Sequence, residues 1–214
     1  RRAGYSLFDS IENALEYGVP QYRSRLFLLG FSTKVFGKKT ECTIGAHKKY
    51  NLNDILKMPW PTLSPFVVDG KLDCPHGIAK DLTTQYWFDM NKVETHPNGN
   101  DIFGVKAYDK YKSIPEGATV GKSFKRLHRW RYAPTSAYGN NEVHLHPYKM
   151  RRISVAEALA LQSVPAEFVL PTDLSLSLKF KMVGNGVPVL LSQGIASDVM
   201  DVIQKIEKGG TNNA

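Results

Sequence analysis

The sequence predicts an α/β protein in which a loop-rich, mainly β region lies between a strand-containing start and a helical end. Residues 25–31, RLFLLGF, form a continuous apolar run of strand length. Residues 34–150 carry short apolar pieces separated by turn signals. Helical patterns with recognisable start signals then occupy residues 154–162 and 188–208. These three observations together favour mixed α/β architecture over an all-α or all-β fold.

The first two elements lie before residue 33. Residues 4–15, GYSLFDSIENAL, fit either a strand or a helix, and the alternation of Tyr5, Leu7 and Ile11 allows a strand that ends near Asn13. RLFLLGF is apolar at nearly every position, which is typical of a strand buried on both faces of a parallel or mixed sheet. Two arginines, Arg23 and Arg25, stand at the start of this strand.

The middle of the chain is rich in turn-forming residues, so short strands joined by loops are expected there. The turn signals are Pro59, Pro61, Pro65, Asp69-Gly70, Pro97-Asn98-Gly99, Pro115-Glu116-Gly117 and Gly139-Asn140-Asn141.

Two helices close the chain. Ser154 with Glu157 three residues later forms a capping-box pattern ahead of an apolar stripe. The last helix is expected from about Pro188, which suits a first helical turn, to Lys208, because Gly209-Gly210 follows. Its apolar residues recur at helical spacing, which predicts one buried face. These residues are Leu191, Ile195, Val199, Val202 and Ile206.

The composition of the 214 residues, 42% hydrophobic and 22% charged, is that of a globular protein. No apolar run approaches the roughly 20 residues of a membrane helix, and no signal-peptide pattern opens the chain, so no membrane partner is expected. Two cysteines are too few for a disulfide framework and favour a reducing cytoplasm. Cys74 with His76 does not supply enough ligands for a metal, and no metal site is predicted.

The net charge of +8 is concentrated in one stretch. Residues 106–152 hold eleven lysines or arginines against three acidic residues, so this stretch alone accounts for the whole excess. Seven aromatic residues are interleaved with these charges, a combination suited to a polyanion such as nucleic acid. The alternative is a solvated basic face over ordinary core aromatics, and charge alone favours nucleic acid only slightly.

Three stretches in fixed order resemble the motifs of one enzyme family. Residues 17–25, YGVPQYRSR, resemble the GxPQxRxR motif of DNA cytosine-5 methyltransferases. Residues 146–168, HPYKMRRISVAEALALQSVPAEF, are similar to that family's HPxxxRxLTxREAxxLQxFPxxF motif. Residues 182–188, MVGNGVP, resemble its closing GNAVP motif, and Ala133-Pro134-Thr135 is placed like the family's Pro-Thr pair. Because order and spacing both match, the chain is identified as a member of that family.

The resemblance implies a large Rossmann-like domain that carries the chemistry and a smaller domain that reads DNA. In this family the target cytosine is flipped out of the duplex, a cysteine attacks C6, and C5 takes a methyl group from S-adenosylmethionine. We therefore expect residues 1–33 to be strands of the catalytic domain and 34–175 to be the target-recognition domain. Residues 176–208 would return to the catalytic domain as a helix, and 209–214 would be a frayed tail.

The sequence lacks the family's PCQ, ENV and FxGxGG motifs, which carry its nucleophile, its assisting glutamate and its cofactor turn. The resemblance therefore covers the C-terminal portion of the enzyme. Because the chain also begins at Arg1 rather than methionine, the sequence indicates a processed chain, a fragment or a separate subunit. Alone it is expected not to methylate DNA. The alternative is a catalytically inactive DNA-binding or regulatory protein that keeps the recognition domain.

The expected partners follow from the same resemblance. They are double-stranded DNA and the N-terminal catalytic portion, in the same chain or as a separate subunit, with S-adenosylmethionine as cofactor of the complete enzyme. The setting would be a bacterial or phage cytosol, in association with DNA. In isolation the sheet fragment would expose an edge, which favours formation of a homodimer.

The resemblance also assigns roles to the first motif. Arg25 would bond the flipped cytosine, Arg23 would brace the catalytic loop or a nearby phosphate, and Gln21 would link to the second motif. Arg23 and Arg25 leave an extended chain on the same face, and a guanidinium can donate two parallel bonds to a phosphate or a base. The alternative is a surface ion pair at a strand end.

The other two motifs supply positioning and cofactor contacts by resemblance. Arg151 and Glu157 would orient the recognition loops. Ala156 stands where the family usually has arginine, so one ion pair is in doubt, and Arg152 could replace it. Asn185 and Gly186 match residues that approach the methionine portion of the cofactor, the alternative being an ordinary helix-entry turn.

DNA contacts are expected from residues near 120 to 149. The candidates for phosphate contact are Lys122, Lys125, Arg126, Arg129 and Arg131, and those for base edges are Tyr138, Asn140 and Asn141. The histidines at 96, 128, 144 and 146 are expected to serve structure rather than a metal.

Overall fold

A computed structural model describes residues 4–104, 108–121, 124–136, 138 and 143–210. It begins with two antiparallel strands, β1 (Tyr5–Asn13) and β2 (Ser24–Ser32). Their register runs from the pair Tyr5 and Ser32 to the pair Asn13 and Ser24. The strand alternative for residues 4–15 is therefore confirmed, as is its end at Asn13.

A short 3₁₀ helix, Ala14–Tyr17, makes the connection between the strands. The Asn13 side chain accepts a hydrogen bond from the Leu15 amide at 3.0 Å and so begins the helix. Gly18 ends it with φ of +87°, a left-handed conformation that glycine adopts at little cost. The chain then extends through residues 19–23, where the first motif lies, before it enters β2.

The two faces of this hairpin have different environments. Phe27 and Leu29 of β2 pack on a cluster that includes Tyr17 and Leu191. The opposite face is exposed, so the expectation of a strand buried on both faces was wrong for this chain. The inner face is covered because Leu191 and Ile195 pack on it and the Phe36 ring meets Phe31 edge-on at 5.2 Å. The exposed apolar side chains are Tyr5, Leu7, Ile11, Leu26 and Leu28.

The region from 34 to 150 contains short helices rather than strands. In the described part of this region, strand pairing is limited to isolated bridges such as Ser64 with Glu116 and Arg126 with Leu145. The prediction of a mainly β region was therefore wrong, although its loop-rich character is confirmed. The helices are α1 (Thr33–Phe36), α2 (Leu52–Lys57), α3 (Thr84–Met90) and α4 (Tyr108–Lys112), with 3₁₀ turns at Lys80–Leu82 and Pro97–Asn100.

Arginine side chains explain how this region dispenses with a sheet. Buried carbonyl groups need hydrogen-bond donors, which neighbouring strands usually supply. Here Arg126 donates to the carbonyl oxygens of Tyr111 and Ile114 in one segment and of His146 in another. One guanidinium thus replaces several ladder bonds.

The helix α5 (Val155–Ala160) lies at the centre of the main core cluster, and all six of its residues are buried. Its capping box forms as predicted: the Ser154 hydroxyl accepts from the Glu157 amide at 3.2 Å, and the Glu157 carboxylate accepts from the Ser154 amide at 2.7 Å. Because the residues of α5 are either apolar and buried or hydrogen-bonded within the protein, the neighbouring segments pack on a rigid helix.

Two further helices follow. α7 (Val189–Gly210) begins and ends close to the predicted positions, and its buried side chains include Leu191, Ile195 and Val202. α6 (Leu176–Asn185) lies within residues 176–208, which were expected to be one helix, but it is separate from α7, and Ser175 caps it by accepting from the Leu178 amide at 3.3 Å. α6 packs on the main cluster with α5, whereas α7 packs on the hairpin.

Among the described residues, one helical stretch, Leu176–Glu207, is long and apolar enough to cross a membrane by length and composition alone. Such a stretch is weak evidence, because core helices of globular proteins meet the same criterion. It comprises α6 and α7, which are separated at Gly186 by an extended backbone conformation. Gly194 of α7 also packs so closely on Tyr17 that an added Cβ would lie 2.4 Å from the ring.

Candidate functional site

The first motif is fixed against the Pro134-Thr135 pair by backbone hydrogen bonds. The Tyr22 amide donates to the Ala133 carbonyl at 2.9 Å, and the Ala133 amide donates to the Pro20 carbonyl at 2.8 Å. The Thr135 hydroxyl then donates to the Tyr22 carbonyl at 2.7 Å. Two motifs that lie more than a hundred residues apart in the sequence therefore form one surface.

Arg23 joins three segments from a fully buried position. Its guanidinium donates to the Ser136 carbonyl at 3.0 Å, to the Gly184 carbonyl at 2.7 Å and to the Gly186 carbonyl at 3.0 Å. Burial, followed by repulsion from Arg25, lowers the pKa of Arg23 to about 10. The side chain thus stays charged at neutral pH and links the first motif to the closing motif.

Gln21 makes the link to the second motif. Its amide nitrogen donates to the Ser136 hydroxyl at 2.7 Å and, more weakly, to the Leu161 carbonyl just beyond α5 at 3.4 Å. The Gln21 side chain is completely buried. Gln21 and Arg23 therefore meet at Ser136, a residue that sequence reasoning missed. Its position directly after Pro134-Thr135 was the available signal.

Arg25 has a different environment from Arg23. It is partly exposed, and its guanidinium donates to the Ser24 carbonyl at 2.7 Å. Glu12 lies opposite it in the strand pairing, but that carboxylate is engaged by Tyr17 at 2.8 Å and by Lys48 at 2.9 Å. Within the described residues Arg25 forms no ion pair, so its guanidinium remains available to a ligand.

The Glu12 carboxyl group is held ionised on the inner side of the hairpin. Burial by itself would raise its pKa, but hydrogen bonds from Ser10, Lys48 and Tyr17 outweigh that effect, and the pKa lies below its usual value. The glutamate thereby anchors the loop around Lys48 to β1.

Arg151 and Glu157 form a bidentate ion pair. The two guanidinium nitrogens donate to the two carboxylate oxygens at 2.8 and 2.7 Å. Burial acts to raise the pKa of Glu157, but the bonds from Arg151 and His146 prevail and lower it to about 2. Because the same carboxylate caps α5, this pair connects the start of the second motif to its helix.

Glu157, next to Ala156, thus has Arg151 as its arginine partner. Arg152 does not replace it, since its Nε donates instead to the Tyr111 hydroxyl at 3.0 Å and its guanidinium lies over the Phe103 ring. The expectation about Arg152 was wrong because the two neighbouring side chains extend in different directions from the chain.

Asn185 and Gly186 end α6. Asn185 is exposed, and Gly186 donates its amide to the Met182 and Val183 carbonyls. The Gly186 carbonyl is one of the acceptors of Arg23. The Gly186 carbonyl is thus already bonded, whereas the exposed side-chain amide of Asn185 offers a donor and an acceptor to a small polar ligand.

Two of the proposed phosphate contacts are buried, which corrects the sequence-based expectation. Arg126 is fully buried, all its described bonds go to carbonyl groups, and its guanidinium lies 3.6 Å from the centre of the Phe66 ring. Burial lowers its pKa to about 10. Arg129 is 7% exposed, and its guanidinium pairs with Glu116 through bonds of 2.9 and 2.8 Å. Neither side chain can reach DNA in this fold.

Tyr138 also belongs to the core. It is 5% exposed and packs edge-on against the rings of His144 and Phe180. The Gly184 backbone lies so close that an added Cβ would be 3.0 Å from the Tyr138 amide nitrogen. Its assignment to base edges was therefore wrong, because the side chain packs between Phe180 of α6 and His144.

The remaining DNA candidates divide into two groups. Lys125 and Arg131 are partly exposed and line one cleft of about 390 Å³ beside the first motif. Lys122, Asn140 and Asn141 lie outside the described residues. Tyr132, one of the seven aromatic residues of the basic stretch, lines the same cleft. So does Tyr22, which sequence reasoning missed because an aromatic residue within a motif is usually read as packing.

Three histidines of the basic stretch are buried. His128 and His146 bond neighbouring backbone amides through Nδ1, and burial lowers the pKa of both. Burial, followed by the charge of Lys125, lowers the pKa of His144 to about 3. Among residues 4–104, 108–121, 124–136, 138 and 143–210, no group of three or more His, Cys, Asp or Glu side chains is arranged to hold a metal ion.

Comparison with known proteins gives consistent matches. The chain is 47% identical over 202 residues to the Type II methyltransferase M.NmeDI of Neisseria meningitidis serogroup C, covering 94% of this chain and 47% of that protein. It is 26% identical to M.MthTI of Methanothermobacter thermautotrophicus over 92% of this chain and 56% of that protein. The chain thus spans about half the length of these curated relatives.

Solved structures share the fold. S. pombe Dnmt2 methyltransferase matches with a TM-score of 0.53 at 12% identity, over 95% of this chain and 60% of that one. A prophage-encoded E. coli protein, crystallised as a candidate DNA modification methyltransferase, matches with a TM-score of 0.56 at 21% identity, over 95% and 62%. The family model of the C-5 cytosine-specific DNA methylases matches residues 1–201. The chain belongs to the C-5 cytosine-specific DNA methylase family.

Proposed function

We propose that this chain is the C-terminal segment of a DNA cytosine-5 methyltransferase. It supplies DNA recognition and part of the pockets for the flipped cytosine and for S-adenosylmethionine. The catalytic cysteine comes from an N-terminal portion, in the same chain or as a separate subunit. The complete enzyme transfers a methyl group to C5 of a cytosine in a specific DNA sequence.

The observation that carries this proposal is the position of Arg23. One buried guanidinium contacts Ser136 beside the Pro-Thr pair and the Gly184 and Gly186 carbonyls of the closing motif. The first motif, the Pro-Thr pair and the closing motif are therefore tied together in space as well as ordered in sequence. A guanidinium buried without a carboxylate partner is costly, so its retention favours a role in holding these segments together.

The two cysteines of the chain do not resemble a nucleophile. A reactive cysteine needs a lowered pKa, usually from a neighbouring cation or a helix N-terminus. Burial has the largest effect on the pKa of the Cys42 thiol and raises it, and the negative charge of Asp198 raises it further. Cys74 makes only a 3.7 Å contact with the Pro75 carbonyl. We therefore place the nucleophile on the N-terminal portion.

Arg25 is the residue we assign to the flipped cytosine. Unlike Arg23 it is partly exposed, and it stands at the start of β2, next to the surface that the N-terminal portion would complete. Its fork of donors suits the carbonyl and ring nitrogen of a base. Asn185 is assigned to the cofactor because its exposed amide can bond a carboxylate or an amine. Members of this family generally take the methyl group from S-adenosylmethionine.

The exposed face of the hairpin supports the need for an N-terminal portion. Ile11 is 71% exposed, Leu26 67% and Leu28 65%, although all three lie in regular strands. A contiguous apolar patch of this kind on a sheet marks a surface that another segment covers. Because the chain spans only about half the length of its curated relatives, an N-terminal portion is our proposed occupant.

Methyl transfer by a reconstituted mixture tests the proposal. The chain is combined with an N-terminal segment that bears the PCQ, ENV and glycine-rich motifs. Transfer of labelled methyl groups from S-adenosylmethionine to duplex DNA is then measured. Activity is expected from the mixture and from neither part alone. Arg25→Ala should abolish the gain, whereas Lys57→Ala, an exposed residue on α2, should not.

The same experiment distinguishes the proposed methyltransferase segment from the alternative, an inactive DNA-binding protein. If the chain binds DNA but every competent N-terminal segment leaves the mixture inactive, the methyltransferase assignment is lost. If the mixture is active and Arg25→Ala has no effect, only the assignment of the cytosine contact fails.

A further inference from the structure

The cleft beside the first motif combines cations with aromatic rings. Lys125 and Arg131 line it together with Tyr22 and Tyr132, and none of the residues that line it is acidic. Its volume is about 390 Å³. Two positive charges without a carboxylate in a concave surface attract an anion, and an exposed ring offers a face for a planar group or a sugar.

Tyr22 is held in place by its backbone. Its amide and carbonyl are bonded to Ala133 and Thr135, while its side chain is 40% exposed. The Tyr22 ring lies 6.4 Å from the Tyr132 ring, which in turn meets Trp60 edge-on at 5.2 Å. The exposed ring is thus supported from behind and loses little freedom when a ligand stacks on it.

The two cations of the cleft differ in how they are held. The Arg131 guanidinium lies 5.2 Å from the Tyr132 ring centre and donates to the Pro61 carbonyl at 3.3 Å, so it is positioned at the wall. Lys125 forms no ion pair among the described residues, and no acidic side chain lines the cleft. Its ammonium group therefore remains free to meet a phosphate.

Tyr22 and Arg23 are on opposite sides of the extended segment. Burial alternates along residues 21–25, with Gln21 and Arg23 fully buried and Tyr22 and Ser24 exposed. Tyr22 therefore faces the cleft, whereas Arg23 faces the closing motif. The first motif thus presents two separate surfaces, and only one of them carries Arg23.

We propose that this cleft binds one nucleotide of the DNA substrate, with its phosphate between Lys125 and Arg131 and its sugar or base against the Tyr22 ring. The proposal rests on the proposed function, because DNA is the polyanion that this family methylates. It adds Tyr22 as a residue that contacts DNA from within the first motif. Arg126 and Arg129 are excluded from the contact because they are buried.

Fluorescence anisotropy with the full 214-residue chain tests this inference. The probe is a labelled DNA duplex with randomised central positions, titrated at several salt concentrations. Tyr22→Ala should weaken binding by roughly 5- to 100-fold, the range of one lost base–aromatic contact, and Tyr22→Trp should restore it. Lys125→Gln should reduce the slope of log affinity against log salt by about one.

Matched controls come from exposed residues outside the cleft. Tyr108→Ala removes a tyrosine that is 55% exposed in the same basic stretch, and Lys57→Gln removes an exposed lysine on α2. Both should bind like the unaltered chain. The urea unfolding midpoint of every variant is compared with that of the unaltered chain, so that a loss of binding is not counted where the fold has changed.

The outcomes separate this inference from the proposed function. If the unaltered chain binds no DNA, both are overturned. If it binds DNA and Tyr22→Ala and Lys125→Gln bind as tightly, with an unchanged salt slope, the cleft alone is overturned. If inorganic phosphate displaces the duplex and Tyr22→Ala has no effect, the cleft is a phosphate site without the ring contact, which also contradicts the inference.

Discussion

The side chain of Arg129 is joined to the carboxylate of Glu116 by two hydrogen bonds, at 2.9 and 2.8 Å, and Glu116 also accepts from the Arg129 amide at 2.8 Å. Both residues are buried, and the guanidinium lies 4.3 Å from the centre of the Tyr148 ring. The pair therefore belongs to the interior of the loop-rich region between residues 34 and 150, where removal of one partner leaves an uncompensated charge.

Glu116→Gln is expected to lower the free energy of unfolding by about 3–5 kcal/mol, because Arg129 would stay buried without its counter-charge. Urea unfolding followed by circular dichroism measures the change. Lys125→Gln, which removes a partly exposed charge nine residues away, should change the stability by no more than about 0.5 kcal/mol. Equal stability of the two variants would contradict the structural role of the pair.

The sequence did not reveal which basic residues are buried and which are exposed. A lysine or arginine in a basic stretch gives the same local signal whether it faces solvent or the interior. Burial of Arg126 and Arg129 depends on acceptors elsewhere in the chain, such as Glu116 and the Tyr111 carbonyl, which have no fixed spacing. In the described part of residues 34–150, pairing is limited to isolated bridges for the same reason, because side chains such as Arg126 bond the carbonyl groups that ladders would have bonded.

Sequence patterns predicted structure correctly where the structure depends on residues close together in the chain. The capping box of Ser154 and Glu157 forms as its spacing predicts, and the apolar face of α7 is buried as its periodicity predicts. The motif order placed Gln21, Arg23 and Arg25 together at one surface. It could not show that Arg23 is buried and Arg25 accessible, because that difference comes from carbonyl groups at Ser136, Gly184 and Gly186.

Acid is expected to destabilise the fold in two stages. The pKa of His144 falls from 6.5 to about 3 through burial and then the charge of Lys125, so the unfolded chain binds the proton at higher pH than the folded chain. Stability should therefore decline as the pH falls below 6.5. The pKa of Glu157 falls from 4.5 to about 2, since its bonds from Arg151 and His146 outweigh burial. Its contribution is present above pH 4.5 and lost towards pH 2.

Urea unfolding at a series of pH values measures both stages. In His144→Gln the decline between pH 6.5 and 4.5 should be shallower, although His128 and His146 still contribute because their pKa values are also lowered by burial. In Glu157→Gln the decline below pH 4.5 should be shallower. An unchanged pH profile in His144→Gln would show that this histidine is not buried in its neutral form.

Arg23→Lys is expected to disconnect the first motif from the closing motif. A lysine ammonium is a compact charge on a flexible stem, and it cannot reproduce the planar fork that reaches Ser136, Gly184 and Gly186 at once. The free energy of unfolding should fall by about 2–3 kcal/mol, as for the loss of buried charge-assisted hydrogen bonds. Arg25→Lys, at a partly exposed position, is the matched control and should leave stability almost unchanged. Equal losses in the two variants would contradict the distinction between them.

The isolated chain is expected to self-associate through the exposed face of the β1–β2 hairpin. Leu26 and Leu28 point to the same side of β2 and are 67% and 65% exposed, so a second copy can bury them by pairing faces. The double variant Leu26→Lys and Leu28→Lys should sediment as a monomer at concentrations where the unaltered chain dimerises. Val120→Lys, which alters a residue that is 99% exposed and lies outside the hairpin, should dimerise as before.

Addition of the N-terminal segment distinguishes two reasons for this association. If that segment covers the hairpin face, its addition should replace the homodimer by a one-to-one complex, and Leu26→Lys with Leu28→Lys should weaken that complex as well. Strictly monomeric sedimentation of the unaltered chain over a wide concentration range would contradict self-association. A complex insensitive to both substitutions would place the N-terminal segment on another surface, because a charge buried at an apolar interface without a partner costs several kcal/mol.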